Sequence, residues 1–359
     1  MGSRLEWRSP FRIGCDICFY GDPVKTVEYA VRAEKDGFPV VSVPDHTFHR
    51  PGYGEPPPFD AYAVLSAIAV RTQRVVLMPV VSECLRRHPV IVAQAFSTID
   101  HLSGGRVALG LGAGEVFNVG PIAEIDFSKP FTRLRESVEL IKRLWTSDES
   151  ITYRGETIEL RDAPPIIKPL QRPHPPIYVG GMGRRIRRFV GEACDGWMPW
   201  LYTPETYRAD VKEIEAGCRA AGRSLDEIDL GLNIRAVVLE DGDEARRVAE
   251  PGNRIALALR PRLLRALGYP ELAEMGEMIW SSTFKEDHVE RIRRVAERIP
   301  AEVVERAAIV GTPDEAIEQI EEFRRAGVRL LALTLMTSRF EETERLFKRY
   351  ILPYFAEGS

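Results

Sequence analysis

Short apolar segments that alternate with helical segments are the feature that most limits the fold of this 359-residue chain. The segments at residues 38–43, 75–81 and 107–111 are apolar on both faces, as expected for strands that are covered on both sides. Such strands, when they alternate with helices, form a parallel sheet. The predicted strands are residues 11–20, 38–43, 75–81, 107–111, 175–179, 196–201, 230–239 and 330–335, and the predicted helices are residues 23–35, 59–71, 90–102, 133–145, 184–194, 205–221 and 313–326.

Eight strands with intervening helices predict an α/β fold of the (β/α)8 type, the TIM barrel, as a single domain of residues 1–359. Residues 151–160 alternate apolar and polar positions, which indicates a hairpin added to this array. A helical insertion is predicted at about residues 241–300, before the last strand. A doubly wound sheet is the competing fold. It would carry a glycine-rich phosphate motif after the first strand, and residues 15–22 contain none.

The charge and composition of the chain exclude several kinds of binding partner. The formal net charge is -4 with both signs interspersed, so no polybasic face for nucleic acid is expected. No apolar run reaches the roughly 18 residues of a membrane span, and residues 1–10 do not resemble a secretory signal, which favours a cytoplasmic location. The five cysteines form no disulfide framework and the histidines show no metal-ligand spacing, so no metal is inferred. Cys15 and Cys18 form a C-x-x-C pair, which is redox-active, half of a metal site or structural, and the structural role is favoured.

The glycine-rich stretch GRVALGLGAGEVFN at residues 105–118 is the first candidate for an active site. Gly110, Gly112 and Gly114 leave the end of a buried strand without side chains, so the backbone is expected to approach a ligand closely there. Glu115 follows the last glycine. We therefore expect this strand end, with its carboxylate, to form the floor of an active site.

Other polar or unusual residues follow the remaining predicted strands. In a (β/α)8 barrel the chemistry is carried by the loops after the strands, which share one rim. Glu115 is either functional or a cap of the next helix. The loop at residues 179–185 could bind an anion through its backbone N–H groups, or it is a tight turn with a solvated basic face. The residues predicted on this rim are Asp45, His46, Glu83, Cys84, Glu115, Asn118, Gly180, Gly181, Met182, Gly183, Trp197 and Trp200.

Six motifs, in this order, carry a family resemblance: VPDH at residues 43–46, HPVIVAQAFST at 88–98, SGGRVALGLGAGE at 103–115, RLRE at 133–136, CDGW at 194–197 and GTPDE at 311–315. Together they resemble the bacterial luciferase-like superfamily, in the branch that uses the deazaflavin coenzyme F420. The resemblance covers most of the chain. Within that branch the sequence is similar to F420-dependent glucose-6-phosphate dehydrogenases, methylenetetrahydromethanopterin reductases and phthiodiolone ketoreductases, and the fold implied is the luciferase-like (β/α)8 barrel.

The resemblance implies roles for individual residues. His46 and Glu115 match catalytic positions, and Asp45 and Asn118 match positions that contact the coenzyme. A non-proline cis peptide behind the deazaflavin ring is expected at Pro79-Val80, which are assigned to the coenzyme. Gly181, Met182 and Gly183, in the loop after strand five, are assigned to a phosphate-bearing coenzyme tail.

The substrate side departs from the dehydrogenase pattern. A tryptophan shortly after the catalytic histidine is replaced by His49-Arg50, and polar phosphate ligands after strand six are replaced by Pro199-Trp200. Arg306 alone matches a substrate-phosphate ligand. These departures argue against glucose 6-phosphate and favour an apolar or aromatic substrate. Arg50, Trp200 and Arg306 are the predicted substrate-binding residues.

The predicted function is hydride transfer between coenzyme F420 and a small carbonyl or alcohol substrate, in an enzyme that the resemblance implies is a homodimer. His46 would exchange a proton with the substrate oxygen or hydrogen-bond to it, and Glu115 would act as an acid or base. Three alternatives stay open. They are C–N reduction like that of the methylenetetrahydromethanopterin reductases, an FMN-dependent monooxygenase, and a cofactor-binding protein without catalysis.

Overall fold

The computed structural model describes residues 11–17, 21–48, 57–280, 286–335 and 338–357. The strands are β1 (Arg12–Asp16), β2 (Val40–Val43), β3 (Val76–Pro79), β4 (Ser82–Glu83), β5 (Leu109–Gly112), β6 (Ile151–Arg154), β7 (Glu159–Ala163), β8 (Ile177–Val179), β9 (Gly196–Trp197), β10 (Asp229–Val238), β11 (Ile309–Gly311) and β12 (Leu330–Thr334). The helices are α1 (Pro23–Asp36), α2 (Ala61–Arg71), α3 (Pro89–Ser103), α4 (Val116–Val119), α5 (Pro130–Thr146), α6 (Arg184–Ala193), α7 (Pro204–Ala220), α8 (Gly242–Ala258), α9 (Pro261–Ala266), α10 (Pro270–Trp280), α11 (Glu286–Arg298), α12 (Ala301–Arg306), α13 (Pro313–Arg325), α14 (Phe340–Leu346) and α15 (Leu352–Glu357). A 3₁₀ turn (Leu225–Glu227) precedes β10, and a π-helical turn (Phe347–Ile351) joins α14 to α15.

The parallel strands form a nearly closed barrel. Their order is β3-β2-β1-β12-β10-β9-β8-β5-β4, and β11 pairs with β10 outside this path. The two ends of the path meet at an isolated bridge between Leu77 and Val107, where Leu77 N donates to Arg106 O at 2.8 Å and Ala108 N donates to Leu77 O at 2.9 Å. The predicted (β/α)8 barrel is therefore confirmed.

The interior of the barrel is filled by alternate residues of its strands. Val40, Met78, Tyr178 and Ala332 belong to one small buried cluster inside the sheet, whereas their neighbours along the strands belong to the larger cluster between sheet and helices. Side chains in a strand point to opposite faces in turn, so one strand serves both cores. This explains why the predicted strands are apolar on both faces.

A buried ion pair lies at the amino-terminal end of the barrel. Arg12, at the start of β1, donates to the Asp229 carboxylate at 2.5 Å, and the hydroxyl of Tyr178 donates to the same oxygen at 2.5 Å. These residues belong to β1, β10 and β8. The ion pair therefore joins three strands at this end of the barrel, while Arg12 Nε and Asp229 Oδ1 are buried without a hydrogen-bond partner among the described residues.

Several helix boundaries follow from capping residues in the sequence. The side chain of Asp22 accepts from Lys25 N at the start of α1, and Gly37 ends that helix in the left-handed region with φ 98°. Thr312 and Glu315 form a capping box at the start of α13, which confirms the predicted Thr312 cap. The hairpin at β6 and β7 and the helical character of the insertion also follow the prediction.

Several short elements differ from the sequence prediction. The third predicted strand ends two residues early as β3, and the separate strand β4 that follows it was not predicted. The sixth is reduced to β9 with one further bridge at Trp200. Strand β11 and the helices α14 and α15 are not predicted from the sequence. Three residues carry too little periodicity to be recognised as a strand, and β11 is stabilised by pairing with β10, which lies about 70 residues away along the chain.

Two glycines of the 105–118 stretch accommodate a neighbouring segment of protein. A Cβ placed on Gly110 would lie 2.0 Å from the carbonyl oxygen of Pro79, and one placed on Gly112 would lie 3.1 Å from Val81 Cγ2. Gly180, at the end of β8, has the same neighbour, because its Cβ would lie 2.7 Å from Val81 Cγ2. The expected close approach to a ligand is therefore made first by the chain at residues 79–81, while Gly112 and Gly114 also line the cavity described below.

This packing predicts the effect of a single methyl group at position 110. Gly110→Ala should lower the free energy of unfolding by about 3 kcal/mol or more, because backbone atoms of Pro79 cannot move aside as a flexible side chain can. Urea denaturation measures the effect. Gly183→Ala is the matched control, since its Cβ would meet atoms no closer than 3.5 Å, and it should cost at most about 1 kcal/mol. Equal losses in the two variants would contradict the close packing at Gly110.

Candidate active site

A cavity of about 930 Å³ lies at the carboxyl ends of the barrel strands. Helices α8 and α9 of the insertion form one of its walls. The predicted site residues that line it are Asp45, His46, Val80, Glu115, Asn118, Gly181, Met182, Gly183 and Trp200. The loops predicted to share one rim therefore meet around one cavity.

Asp45 is the most tightly held acidic group of this cavity, and its side chain is fully buried. Its Oδ2 accepts from Ser82 Oγ at 2.6 Å and pairs with Arg86 Nη2 and Arg87 Nη1, both at 2.8 Å. Its Oδ1 is buried and has no hydrogen-bond partner among the described residues. Since an unpaired buried carboxylate oxygen is costly, Oδ1 is suited to accept a hydrogen bond from a ligand.

The two arginines connect Asp45 to the elements around it. Arg86 also bonds to the carboxylate of Glu83 and to the hydroxyl of Thr47. Although burial acts to lower it, the pKa of Arg86 is raised by the neighbouring Asp45 and Glu83 carboxylates. Arg87 pairs with Asp60, the N-cap of α2, and its Cζ lies 4.1 Å from the centroid of the Tyr62 ring. The segments after β2 and β3 and the start of α2 are thus joined by charged hydrogen bonds.

His46 and Glu115 lie on two segments that are hydrogen-bonded to each other. The backbone N–H of Thr47, next to His46, donates to the side-chain oxygen of Asn118 at 2.8 Å. Asn118 is buried and lies in α4, the short helix that begins after Glu115. This bond fixes the segment after β2 against the segment after β5. Both predicted catalytic side chains are partly exposed and line the same cavity.

Glu115 occupies the N-cap position of α4, which was the alternative explanation for this residue. Its side chain makes no capping hydrogen bond, and α4 has only four residues. The backbone carbonyl of Glu115 accepts from Asn118 N at 2.9 Å and so starts the helix without the carboxylate. The capping role is therefore not realised, and the carboxylate lines the cavity.

A non-proline cis peptide is present, but it lies between Val80 and Val81, so its predicted place at Pro79-Val80 is wrong by one residue. Pro79 is still part of β3, in register with Val43, and Val80 N donates to Val43 O at 2.9 Å. Strand pairing thus extends to the amide of Val80, and the chain departs only at the next peptide. Val80 and Val81 line the cavity, whereas Pro79 does not belong to its lining.

The loop after β8 brings backbone close to the cavity. Gly181 has φ 112°, in the region that favours glycine, and its carbonyl accepts from Trp197 Nε1 at 3.0 Å. Gly183 is the N-cap of α6 and provides no capping side chain. The first N–H groups of a helix that are left without a side-chain cap attract anions. The loop is therefore both a tight turn and a helix start that faces the cavity.

Arg260, which was not singled out from the sequence, belongs to the wall formed by the insertion. It is the N-cap residue of α9 and only 2% exposed. Its Cζ lies 5.2 Å from the ring centroid of Tyr202 and 5.9 Å from that of Trp200. Burial lowers the pKa of Arg260 to about 10, so the side chain remains a cation at neutral pH. The basic run at residues 254–265 was the only signal in the sequence, and it does not show which arginine is buried.

Asp16 forms part of the cavity lining at the end of β1. Its carboxylate accepts from Ser42 Oγ at 3.0 Å, from Asn233 Nδ2 at 3.0 Å and from Thr334 Oγ1 at 2.9 Å. The three donors come from β2, β10 and β12. This buried acid therefore joins four strands where they open into the cavity, which the sequence did not indicate.

Two residues singled out from the sequence, Arg306 and Cys15, do not line this cavity. Arg306, predicted to bind substrate, does not belong to the cavity lining and forms an ion pair with the exposed Glu205 at 3.2 Å. Arg50 lies outside the described residues, as does Cys18. Burial raises the pKa of the Cys15 thiol, which lies 3.3 Å from the hydroxyl of Tyr29. These properties favour the structural interpretation of Cys15.

Comparison with known proteins adds a family match. A model of the luciferase-like monooxygenase family matches residues 4–330. An F420-dependent glucose-6-phosphate dehydrogenase of Amycolatopsis mediterranei is 33% identical over 320 residues, which are 86% of this chain and 87% of that protein. A 5,10-methylenetetrahydromethanopterin reductase of Archaeoglobus fulgidus is 32% identical over 310 residues, 84% of this chain and 87% of that protein. The solved structure of an F420-dependent secondary alcohol dehydrogenase, in complex with an F420-acetone adduct, has a TM-score of 0.79 and 26% identity over 96% of this chain and 98% of that chain.

The buried Asp45 cluster predicts a large loss of stability when its acid is neutralised. Asp45→Asn should lower the free energy of unfolding by about 3 kcal/mol, because two largely buried guanidinium groups lose their shared carboxylate. Asp60→Asn is the matched control. Asp60 also pairs with Arg87 but is about half exposed, and asparagine still caps a helix, so the loss should stay below about 1 kcal/mol. Similar losses in both variants, measured by urea denaturation, would refute the central role of Asp45.

Proposed function

The chain belongs to the luciferase-like monooxygenase family, and on that premise we propose that it is an oxidoreductase that uses coenzyme F420 to act on a carbonyl or alcohol substrate. One observation carries the proposal. His46, Glu115 and the unpaired Asp45 Oδ1 line one cavity whose wall is the cis Val80-Val81 segment. The relatives named as F420-dependent enzymes, which align over most of the chain, support the choice of coenzyme.

The residues of the cavity fit a flat ring with polar edges. Val80 and Val81 offer an apolar surface, and Asp45 Oδ1 offers a buried acceptor for a ring N–H group. Asn118 offers an amide beside them. The loop of Gly181, Met182 and Gly183, followed by the open start of α6, would hold a phosphate-bearing tail. Coenzyme F420, when bound, supplies the hydride-transfer chemistry, and the protein supplies orientation and proton handling.

We propose that His46 is the group that exchanges a proton with the substrate oxygen. Its side chain is partly exposed and belongs to the segment that Arg86 and Asn118 hold from both sides, through bonds to Thr47. A histidine in a fixed position can donate a proton to a forming alkoxide or remove one from an alcohol. Glu115 is the second acid or base, on the segment after β5. The two groups thus reach the cavity from neighbouring loops.

The position of Arg306 bears on which substrate the enzyme accepts. The predicted phosphate ligand Arg306 pairs with Glu205 and does not line the cavity, so glucose 6-phosphate gains no support from it. Trp200, Ile255 and Leu259 also line the cavity. Their side chains favour a substrate with an apolar body, as expected from Trp200.

Two other reactions remain as alternatives. The family description favours an FMN-dependent monooxygenase as the second candidate. C–N reduction is the third, because a methylenetetrahydromethanopterin reductase is among the relatives.

None of the helices in the described ranges combines the length and apolar composition needed to cross a bilayer. Our proposal includes a cytoplasmic location and a homodimer, and the homodimer can be tested by light scattering of the purified chain.

The choice of coenzyme predicts a difference in affinity. The purified chain should bind oxidised F420 with a dissociation constant below about 1 μM, and at least about tenfold more tightly than FMN, because Asp45 Oδ1 and the start of α6 would meet the ring and the tail. Quenching of coenzyme fluorescence measures both constants. Tighter binding of FMN would reverse the ranking and favour the monooxygenase.

The assignment of His46 and Glu115 predicts a loss of turnover without a loss of coenzyme binding. His46→Ala and Glu115→Gln should each lower kcat by about 10²-fold or more, since each removes a proton-transfer group, and the dissociation constant for F420 should change by less than about threefold. His101→Ala is a control, because His101 is exposed and bonds only to Lys168 O among the described contacts. Near-normal kcat in both active-site variants would disprove the assignment.

A further inference from the structure

Arg260 has an unusual environment for a cation. The residue is 2% exposed, and both Nε and Nη1 are buried without a hydrogen-bond partner among the described residues. The groups packed against it are the rings of Trp200 and Tyr202. A ring face attracts a guanidinium but accepts none of its hydrogen bonds in the plane. The N–H groups at Nε and Nη1 are therefore left without an acceptor in the part of the chain that the structure describes.

Asp210, a carboxylate near Arg260, is bonded to other groups. Asp210 accepts from the hydroxyl of Tyr202 at 2.8 Å and pairs with Arg187 Nη1 at 2.8 Å. Burial lowers the pKa of Arg260, and the negative charge of Glu115, which lines the same cavity, acts weakly in the opposite direction. A buried cation without a bonded anion is costly, and the cost is removed when an anion arrives with acceptors of the right geometry. Arginine suits this role because its planar group matches a carboxylate.

Arg260 lies in the wall of the cavity that contains His46 and Glu115. The apolar residues Ile255, Leu259 and Trp200 line the same wall. A molecule bound there would meet a cation at one point and aliphatic or aromatic surface around it. The groups that fit the coenzyme, Asp45 Oδ1 and the loop of Gly181, Met182 and Gly183, belong to other segments, after β2 and β8.

We propose that the substrate of this enzyme is an organic acid with an apolar body, whose carboxylate is bound by Arg260 between the rings of Trp200 and Tyr202. This inference rests on the proposed function, since it names the substrate class of that same site. Arg260 is thus a residue that determines specificity. A site built to hydrogen-bond a polar group rejects an analogue that lacks it, so neutral analogues of the substrate should bind poorly.

The first experiment compares matched acids and amides on the full chain without coenzyme. Titration calorimetry is made with straight-chain acids of 4 to 10 carbons, 4-phenylbutyrate, and the corresponding amides. At least one acid should bind about tenfold or more tightly than its amide, the ratio expected for hydrogen bonds to a charged group. If no acid in the set binds more tightly than its amide, the proposal is wrong.

Substitutions test whether Arg260 causes the preference for the acid over the amide. Arg260→Met should remove the preference for the acid and change amide binding by less than about twofold, while Arg260→Lys should retain part of it. Arg265→Met is the matched control, because Arg265 lies on α9 as well but is exposed and pairs with Glu277. It should keep the full preference. An Arg260→Met variant that is folded by circular dichroism and still prefers the acid would overturn the proposal.

A second measurement separates a substrate acid from the coenzyme tail. Arg260→Met should bind F420 and its tail-less deazaflavin core as tightly as the unchanged chain does, within about twofold. Selective loss of F420 binding would reassign Arg260 to the coenzyme phosphate and overturn the substrate proposal. Because the acid and amide titrations contain no coenzyme, failure of F420 to bind the unchanged chain would refute the proposed function and leave the acid-binding result standing.

Discussion

The carboxylate of Asp45 holds together the part of the molecule on which the site depends. One of its oxygens is shared by Ser82, Arg86 and Arg87, and the arginines extend the contacts to Glu83 and Asp60. The loop after β2, strand β4 and the start of α2 are therefore fixed by charged hydrogen bonds in a buried setting, where such bonds are strong and costly to break. His46 follows Asp45 directly and gains its position from this cluster.

A second constraint is steric and comes from the neighbouring segment that follows β3. The chain at Pro79, Val80 and Val81 fits against strands β5 and β8 only because Gly110 and Gly180 have no side chains. This close contact brings the cis Val80-Val81 peptide into the cavity wall, in front of the segment that carries Glu115. The glycine-rich stretch thus shapes the site indirectly. It makes room for another segment, and that segment forms the surface on which a flat ring would lie.

The charged side chains that line the cavity differ in how many of their hydrogen bonds are made within the protein. Asp16 is saturated by donors from three neighbouring strands, which marks it as part of the framework. Asp45 has one saturated and one unpaired oxygen, so it serves the framework and a ligand at once. Arg260 packs against the rings of Trp200 and Tyr202, and two of its nitrogens have no hydrogen-bond partner among the described residues. Asp45 and Arg260 both line the cavity, so a ligand there can supply the missing hydrogen bonds, and their positions separate the proposed coenzyme region from the proposed substrate region.

The sequence by itself determined the fold and the principal acid and base candidates. Strands apolar on both faces are compatible with few architectures, and the polar residues that end them must share a rim in a parallel barrel. The sequence alone therefore predicts that Asp45, His46, Glu115 and Asn118 lie close together. The tertiary structure alone decided the rest. The cis peptide lies one residue later than predicted because strand pairing extends to Val80, and Arg306 is paired on the surface while Arg260 is buried in the wall. All three outcomes depend on contacts between segments far apart in the chain. The local sequence shows which residues are charged or apolar. Only tertiary packing decides which of them are buried from solvent and which form ion pairs or hydrogen bonds.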